Sequence, residues 1–460
     1  MSLLRRTGPA PQHGSVHLGL GAFFRAHGTI YTQDAAEPGW GILGVSLRSP
    51  KVRDQLAGQD WLYTAVERGP EGDRPHVVEQ LTGVLCAPED PGAVVAALAS
   101  PETKLVTLTV TEKGYCHDPA TGALNRQHPD ILADLASQPR SALGYLLAGL
   151  AARRAAGLAP FTVLSCDNIP ANGRVLQGLV LEMAKLQNAD LADWIEDRGC
   201  FPSSMVDRIV PATTQADLDG LEGVQDQSPV FHEPFRQWVI EDSFVVNARP
   251  PWERAGAQIV RDVEPFEAMK LRMLNGAHSA LAYLGSIAGH KTVAEAVGDP
   301  LLAQFLTKMW EREVIPTLVP PQDTDLQAYG RALLDRFANP ALLHKLAQIA
   351  MDGSQKLPQR LLASLAETPH PAPCLTLAVA AWMRHVARTD RAIPVQDPLA
   401  DQLLTRVQGA SDAASVVDAL LRETAVFGDA YWDHKEALTE AYHSLDQGAS
   451  SALTRALKQA

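Results

Sequence analysis

Two hydrophobic periods divide the chain. In the first half, short apolar runs rich in β-branched residues cover 15–18, 41–47, 104–111 and 161–165. Segments with helical spacing, such as 22–32 and 141–156, lie between them. Strands alternating with helices predict parallel βαβ units, with helices on both faces of a sheet. After about residue 264 the character changes: 266–287 is long, periodic and rich in Leu, Ala and Met. Helical spacing continues through 300–314, 326–337, 341–351, 375–385, 412–421 and 434–445. Proline-rich turns at 316–322 and 367–373 punctuate this half. The pattern predicts an α/β, nucleotide-type domain over residues 1–264 and a mostly helical domain over 265–460, with no internal repeat.

Length and charge sharpen this picture. At roughly 100–200 residues per domain, 460 residues allow two to four domains, and the single change of period narrows the number to two. The 40 Lys+Arg against 53 Asp+Glu leave a formal charge of −13, which argues against a protein built to grip nucleic acid or an anionic membrane. A small anionic ligand in a locally cationic pocket stays compatible with that charge. No apolar run approaches the roughly 18–20 residues that cross a bilayer, and the opening MSLLRRTGPAPQHG has a charged pair but no apolar core, so it reads as a frayed tail. Cys86, Cys116, Cys166, Cys200 and Cys374 are widely spaced and form no CxxC, the usage of free thiols in a reducing cytoplasm.

The stretch HLGLGAFFRAH places Gly19-x-Gly21 directly between a strand and a helix. That context suits a dinucleotide: the first glycine makes the tight turn, the second lets backbone approach a pyrophosphate, and the helix start offers unpaired N–H groups. The third fingerprint position holds Phe24 in place of glycine, and a plain strand-to-helix turn remains an alternative. The next strand should end in the group that reads the adenosine ribose. Here it ends in Arg48, Ser49, Pro50 and Lys51, with no carboxylate, so the choice between NAD and NADP stays open.

EPFEAMKLRMLNGAHSALAYLG carries the most chemistry. At about 100° per residue, with Lys270 at zero, Glu267 falls near about 60°, His278 near about 80° and Asn275 near about 140°. Leu271 and Leu274 share the arc, so a stripe simply facing water is not the only reading. An amine among apolar residues is the right chemistry for a general base, because desolvation lowers a lysine pKa from about 10.4 toward roughly 7–8. A neighbouring amide can donate to a substrate oxygen as it becomes an alkoxide. No HExxH, no CxxC pair and no His/carboxylate cluster at ligand spacing appears, so no metal site is expected. TVTEKGY and SCDNIPANG follow apolar strands, where ligands of doubly wound sheets gather, although Asn, Asp, Gly and Pro are also ordinary turn formers.

Taken together, HLGLGAFFRAH, TLTVTEKGY, SCDNIPANG, FPSSMVDRIVP, EPFRQWVIED, MKLRMLNGAHSALAYLG and MDGSQKLPQR resemble the polyol-specific long-chain dehydrogenase family, which includes mannitol 2-dehydrogenases and fructuronate reductases. The resemblance runs from residue 17 to about 361 and implies a Rossmann-type N-terminal domain, a helical C-terminal domain, a cleft between them and metal-independent hydride transfer with NAD, NADP not being excluded. It implies that Lys270 is the catalytic lysine, that Asn168 and Asn275 polarise the reacting oxygen, that His278 contacts substrate and that Glu267 lies on the proton path. The coenzyme set it implies is Gly19, Gly21, Phe23, Arg25, Arg48, Glu112 and Asp207, the last also near the active site. Lys356 matches a substrate-binding lysine.

Where the mannitol branch has an arginine eight residues before that lysine, this chain has Gln348. TEKGY, KLRMLNG and SQKLPQR look more like the fructuronate reductase branch and add Lys113, Arg272 and Arg360. Arg272 points away from Lys270 on the helical projection, leaving Arg360 or Lys113 to meet a substrate carboxylate. The expected activity is D-fructuronate/D-mannonate interconversion. Mannitol or another hexitol as substrate, and a non-catalytic NAD(P)-binding sensor, are the alternatives. The expected partner is a small sugar acid or polyol, with no nucleic acid or membrane, and nothing in the sequence forces more than a monomer.

Overall fold

A computed structural model describes residues 3–118, 121–221, 225–368, 371–388 and 393–460. Residues 369–370 of the expected turn over 367–373 lie outside the described residues. The chain falls into two compact units, Met1–Glu264 and Pro265–Ala460.

In chain order the strands of the first unit are β1 (His13–Leu18), β2 (Gly41–Ser46), β3 (Tyr63–Gly69), β4 (Gly72–Val78), β5 (Leu81–Cys86), β6 (Leu105–Leu108), β7 (Thr162–Ser165), β8 (Ser204–Asp207), β9 (Val230–His232), β10 (Gln237–Glu241) and β11 (Gln258–Val260). Five form the central sheet in the order β5-β2-β1-β6-β7, every neighbouring pair parallel. The order reverses between β1 and β6, the place where doubly wound sheets open a crevice at the carboxyl ends of their strands.

Every residue of β6 and β7 is buried. Successive side chains serve opposite faces: Leu105 packs into one apolar cluster, Val106 and Leu108 into the other. Each such aliphatic side chain contributes about 1.5–3 kcal/mol by leaving water. The sequence reading placed β1, β2, β6 and β7 but not β3, β4, β5 or β8 to β11. β4, for example, is exposed over most of its length and includes Pro75, so it carries no alternating pattern.

The helix expected over 22–32 is two short helices, Ala22–Ala26 and Gly28–Asp34, broken at His27 (φ −130°, ψ −85°). The carbonyls that would have continued the first helix are claimed by side chains. Thr29 Oγ1 donates to the carbonyl of Phe24 at 3.3 Å, Tyr63 Oη to that of Arg25 at 2.7 Å and Arg208 to that of Ala26 at 2.7 Å. Phe24 turns onto His17, ring on ring at 3.4 Å. A Cβ on Gly28 would lie 2.3 Å from that phenyl ring, so glycine at 28 is what admits it.

The described residues of the second unit are mainly helical, with an isolated bridge between Thr292 and Lys345. Expected helices recur as Leu326–Phe337, Pro373–Ala387, Ala413–Leu421 and Lys435–Ser444. The segment 341–351 shrinks to the single turns Pro340–Leu342 and Leu346–Ile349, separated by the left-handed Leu343 (φ 45°). At the start of the buried helix Pro373–Ala387, Glu313 accepts from the backbone N–H groups of Cys374 and Leu375 at 2.9 and 2.7 Å, replacing partners that a helix start lacks. Three segments wind as wider π-turns: Lys270–Asn275, Met309–Val314 and Pro358–Leu362. No helix among the described residues is long and apolar enough to cross a membrane.

Candidate active site

A crevice of ≈ 1590 Å³ opens in the first unit at the ends of β1, β2 and β6, larger than the roughly 300–1,000 Å³ typical of small-ligand pockets. Gly19 and Gly21 form its floor after β1. Gly19 holds φ +87°, and a Cβ there would lie 2.2 Å from the carbonyl oxygen of Thr109. The turn is pinned over β2, with the Gly19 N–H donating to the Val45 carbonyl at 2.9 Å and Thr109 Oγ1 donating to the Gly19 carbonyl at 3.0 Å. Gly21 differs: a Cβ there would meet only the Gly19 carbonyl oxygen, at 3.8 Å. Nothing inside the protein demands glycine at 21, so the bare backbone leaves open space for a ligand. After β2 the wall is Ser46, Leu47, Arg48 and Ser49, without a carboxylate.

At the end of β6, Thr111 adopts the left-handed conformation (φ 63°), a strained choice for a β-branched residue. Asp167, just past β7, holds it there by accepting from the N–H groups of Val110 and Thr111 at 3.1 and 2.8 Å and from Tyr115 Oη at 3.0 Å. Burial pushes the Asp167 carboxyl up to about 6 against those three hydrogen bonds. The sequence reading took the segment of this buried latch, which joins the ends of two strands, as a strand end where ligands gather or a plain turn, and did not single out Asp167. Asn168 follows it on the exposed side of the bend.

Several expected coenzyme residues do not line this crevice. Arg25 is buried, donates to the Ser228 carbonyl at 2.5 Å and lies 5.3 Å over the Tyr63 ring. Its guanidinium is thus turned into the unit and lies outside the crevice wall. Phe23 stacks on His27 at 5.2 Å, and Asp207 is buried in β8 opposite Gln237 of β10. Glu112 sits on the short helical turn Thr111–Gly114 and is not part of the crevice wall. Its neighbour Lys113, expected at a substrate carboxylate, does line the crevice.

In the second unit the helix Glu264–Met269 runs through the π-turn Lys270–Asn275 into the helix Gly276–Ile287. A constant 100° step does not hold across an i→i+5 turn, so the expected azimuths shift, yet the four polar residues share one environment. Glu267, Lys270, Asn275 and His278 are all buried, together with Leu271 and Leu274, so the stripe does not face water.

The His278 ring packs on Phe337 at 4.6 Å and edge-on to His344 at 5.1 Å. Burial drives its pKa well below the ordinary value, with the charges of His344, Arg360, Arg336 and Lys270 acting the same way. His278 is therefore neutral, and its Nε2 is buried without a hydrogen-bond partner among the described residues. His344 is pushed down to about 4 by burial and by the Lys356 charge.

A second π-turn brings Arg360 to this helix. Arg360 donates to Ser279 Oγ at 3.3 Å, and its carbonyl oxygen lies 2.8 Å from where a Cβ on Gly276 would sit. Lys356 donates to the Met351 and Ile349 carbonyls at 2.5 and 3.4 Å. Arg272 is engaged by Glu367 and by Thr317, 3.1 Å away. The second unit thus surrounds two neutral imidazoles with Lys270, Arg336, Lys356 and Arg360. Sequence reasoning missed Arg336 and His344, which no local spacing connects to Lys270.

Comparison with known proteins gives the following. The family model described as the mannitol dehydrogenase Rossmann domain matches residues 13–254, and the mannitol dehydrogenase C-terminal domain matches 262–447. The chain is 44% identical to the D-mannonate oxidoreductase of Escherichia coli (strain K12), covering 94% of this chain and 93% of that protein. It is 39% identical to the mannitol 2-dehydrogenase of Aspergillus terreus, over 98% of this chain and 93% of that one. Among solved structures, the Pseudomonas fluorescens mannitol 2-dehydrogenase ternary complex with NAD and D-mannitol is similar with a TM-score of 0.90 and 38% identity, covering 100% of this chain and 97% of that one.

Proposed function

The chain belongs to the mannitol dehydrogenase family, and from that premise we propose that it is an NAD-dependent oxidoreductase interconverting D-fructuronate and D-mannonate, with Lys270 as the general acid and base. The observation that carries the reading is the buried Lys270, set with Asn275 and a neutral His278 on one helix. The first unit supplies the dinucleotide crevice, and NAD, when bound, accepts the hydride. Gly19 fixes the turn and Gly21 leaves its backbone open to a pyrophosphate.

In the oxidative direction the Lys270 amine takes the proton of the reacting hydroxyl as hydride leaves the same carbon. In the reverse direction the Lys270 ammonium returns that proton to the developing alkoxide. The Asn275 amide donates to the reacting oxygen, stabilising its growing negative charge. His278 is neutral throughout, so its unpartnered nitrogen is available for a substrate hydroxyl. A role as a non-catalytic sensor would leave a buried amine, amide and imidazole on one helix without a task.

The substrate class rests on charge. Arg336, Lys356 and Arg360 gather near the imidazole pair, and a hexonate offers them a carboxylate where a hexitol offers only hydroxyls. The D-mannonate oxidoreductase relative supports the same choice. Steady-state kinetics with NAD and a panel of mannonate, mannitol, arabitol and sorbitol tests it. Mannonate should give the highest kcat/KM; a value for mannitol far above that for mannonate overturns the substrate and leaves hexitol oxidation in its place.

A further inference from the structure

We propose that Cys116, His128 and Asp130 form a zinc-type cation site in the wall of the first unit's crevice, and that a metal there competes with the dinucleotide. One ligand atom from each of the three residues lies within 4.8 Å of the other two. Zinc holds sulfur at about 2.3 Å and nitrogen or oxygen at about 2.0–2.2 Å, so closing the set by roughly 1 Å brings all three into bonding range. A thiolate, an imidazole and a carboxylate together suit Zn²⁺ and disfavour Mg²⁺ or Ca²⁺, which take oxygen alone. In sequence Cys116 stands apart from His128-x-Asp130, which is why no ligand spacing was visible there.

The site is built before any metal arrives. Cys116 is held in the left-handed region (φ 50°). Its carbonyl accepts from the N–H of Asn125 at 2.9 Å, and the Asn125 carbonyl accepts from the N–H of His128 at 3.0 Å, so one residue ties the two ligand-bearing positions together. Glu182 anchors the same loop by accepting from the Leu124 N–H at 3.0 Å and from Arg126 at 2.7 Å. His128 caps the helix Pro129–Leu135, its Nδ1 accepting from the Asp130 N–H at 3.2 Å, which fixes the ring beside Asp130.

Asp134, Arg48 and Lys113 line the crevice with the three ligands. Asp134 is committed to the N–H groups of Arg140 and Ser141, leaving Asp130 as the carboxylate for the ion. Three protein ligands leave a fourth position open, as in zinc sites that exchange water or ligand. Burial and the charges of Asp130 and Asp134 push the Cys116 thiol up to about 11, so the metal must displace its proton, with only the Arg48 charge acting the other way. Arg48 lies just past β2, the strand whose tip reads the adenosine ribose in folds of this type. A hydrated ion on Cys116 therefore intrudes on the adenosine end of the crevice. The competition rests on the coenzyme reading above, whereas metal binding does not.

Co²⁺ titration of the full-length protein under anaerobic conditions tests both parts, because a thiolate ligand gives a near-ultraviolet charge-transfer band. The wild type should show the band, and Cys116→Ser should lack it. His128→Asn keeps a helix-capping residue and, like Asp130→Asn, should weaken Co²⁺ at least tenfold. NAD, which does not absorb in that range, should displace the ion. A band surviving Cys116→Ser, or affinities unchanged in His128→Asn and Asp130→Asn, overturns the site. Simultaneous binding of Co²⁺ and NAD overturns the competition. Failure of metal-free protein to bind NAD at all would strike the functional reading instead and leave the Co²⁺ result standing on its own.

Discussion

Two glycines two residues apart do different work. Gly19 is constrained from within, by φ +87° and by the Thr109 carbonyl 2.2 Å from its missing Cβ, whereas Gly21 meets only one atom at 3.8 Å. Gly19→Ala should therefore destabilise the free protein, by the order of 1–3 kcal/mol that strained backbone costs, and lose NAD affinity as well. Gly21→Ala should keep the wild-type melting temperature and lose NAD affinity alone. Thermal unfolding beside calorimetric NAD titration separates the two; equal melting temperatures for both variants would contradict the assignment. Lys270→Met, which keeps the apolar stem and deletes the amine, should bind NAD normally and lose at least about 10²-fold in turnover. Near-normal single-turnover rates in that variant would remove Lys270 from its role. These residues were legible because a glycine turn and a lysine amid leucines carry their chemistry in local sequence. The orientation of Arg25 was not legible for a matching reason: a string of residues does not say which way a side chain points, and this one turns inward to Ser228.

At the scale of elements, the helical period located the 266–287 helix but not its π-turn. A π-turn adds no apolar signature; it is recognised only when the i→i+5 bonds are seen. Its consequence is a close crossing, in which Gly276 at the end of one π-turn meets the Arg360 backbone within another. A methyl group at 276 would sit 2.8 Å from a carbonyl oxygen that cannot swing aside as a side chain does. Gly276→Ala should thus cost about 1–3 kcal/mol, the usual penalty of overpacking, and separate Arg360 from Ser279. Since Asn275 and His278 flank the crossing, KM for the polyol or sugar-acid substrate should rise more than NAD affinity falls. Wild-type stability together with an unchanged KM would show that the two segments can part freely. The break at His27 was hidden for a comparable reason. Residues 22–32 carry a helical pattern, and besides the nearby Thr29 it is partners distant in sequence, Tyr63 and Arg208, that draw the carbonyls away.

Across the whole molecule, the formal charge of −13 disfavours both an anionic coenzyme and an anionic substrate, so the cations of each unit must act locally over a few ångströms, within a Debye length of roughly 8 Å. The change from alternating strands to helical period near 264 coincides with the passage from one compact unit to the other. Strands β8 and β9, by contrast, owe their existence to pairing with β10 and β3 across long sequence separations, which local pattern does not encode. Buried ionisable groups also give the molecule a pH signature. His17, His27 and His232 are pushed to about 3 and His344 to about 4. Below about pH 6.5 the unfolded chain protonates these imidazoles and the folded chain does not, so stability falls as the medium acidifies. Asp167 and Glu313 act in the opposite sense. Burial raises them to about 6 and about 7, so the folded state holds their protons longer than the unfolded state does. Their contribution is complete below the unfolded values near about 4 and is lost as pH rises through 6 and 7. As pH rises past about 6.5 the difference contributed by the histidines fades, while Glu313 continues to erode stability. Glu313→Gln keeps an acceptor for the Cys374 and Leu375 N–H groups and removes the ionisation. Relative to wild type, its melting temperature should climb steadily between pH 5 and 8 and then level off, as followed by thermal unfolding across that range. A difference between the two proteins that stays constant with pH would show that the Glu313 carboxyl is already ionised in the folded state across that range, as it is in the unfolded chain.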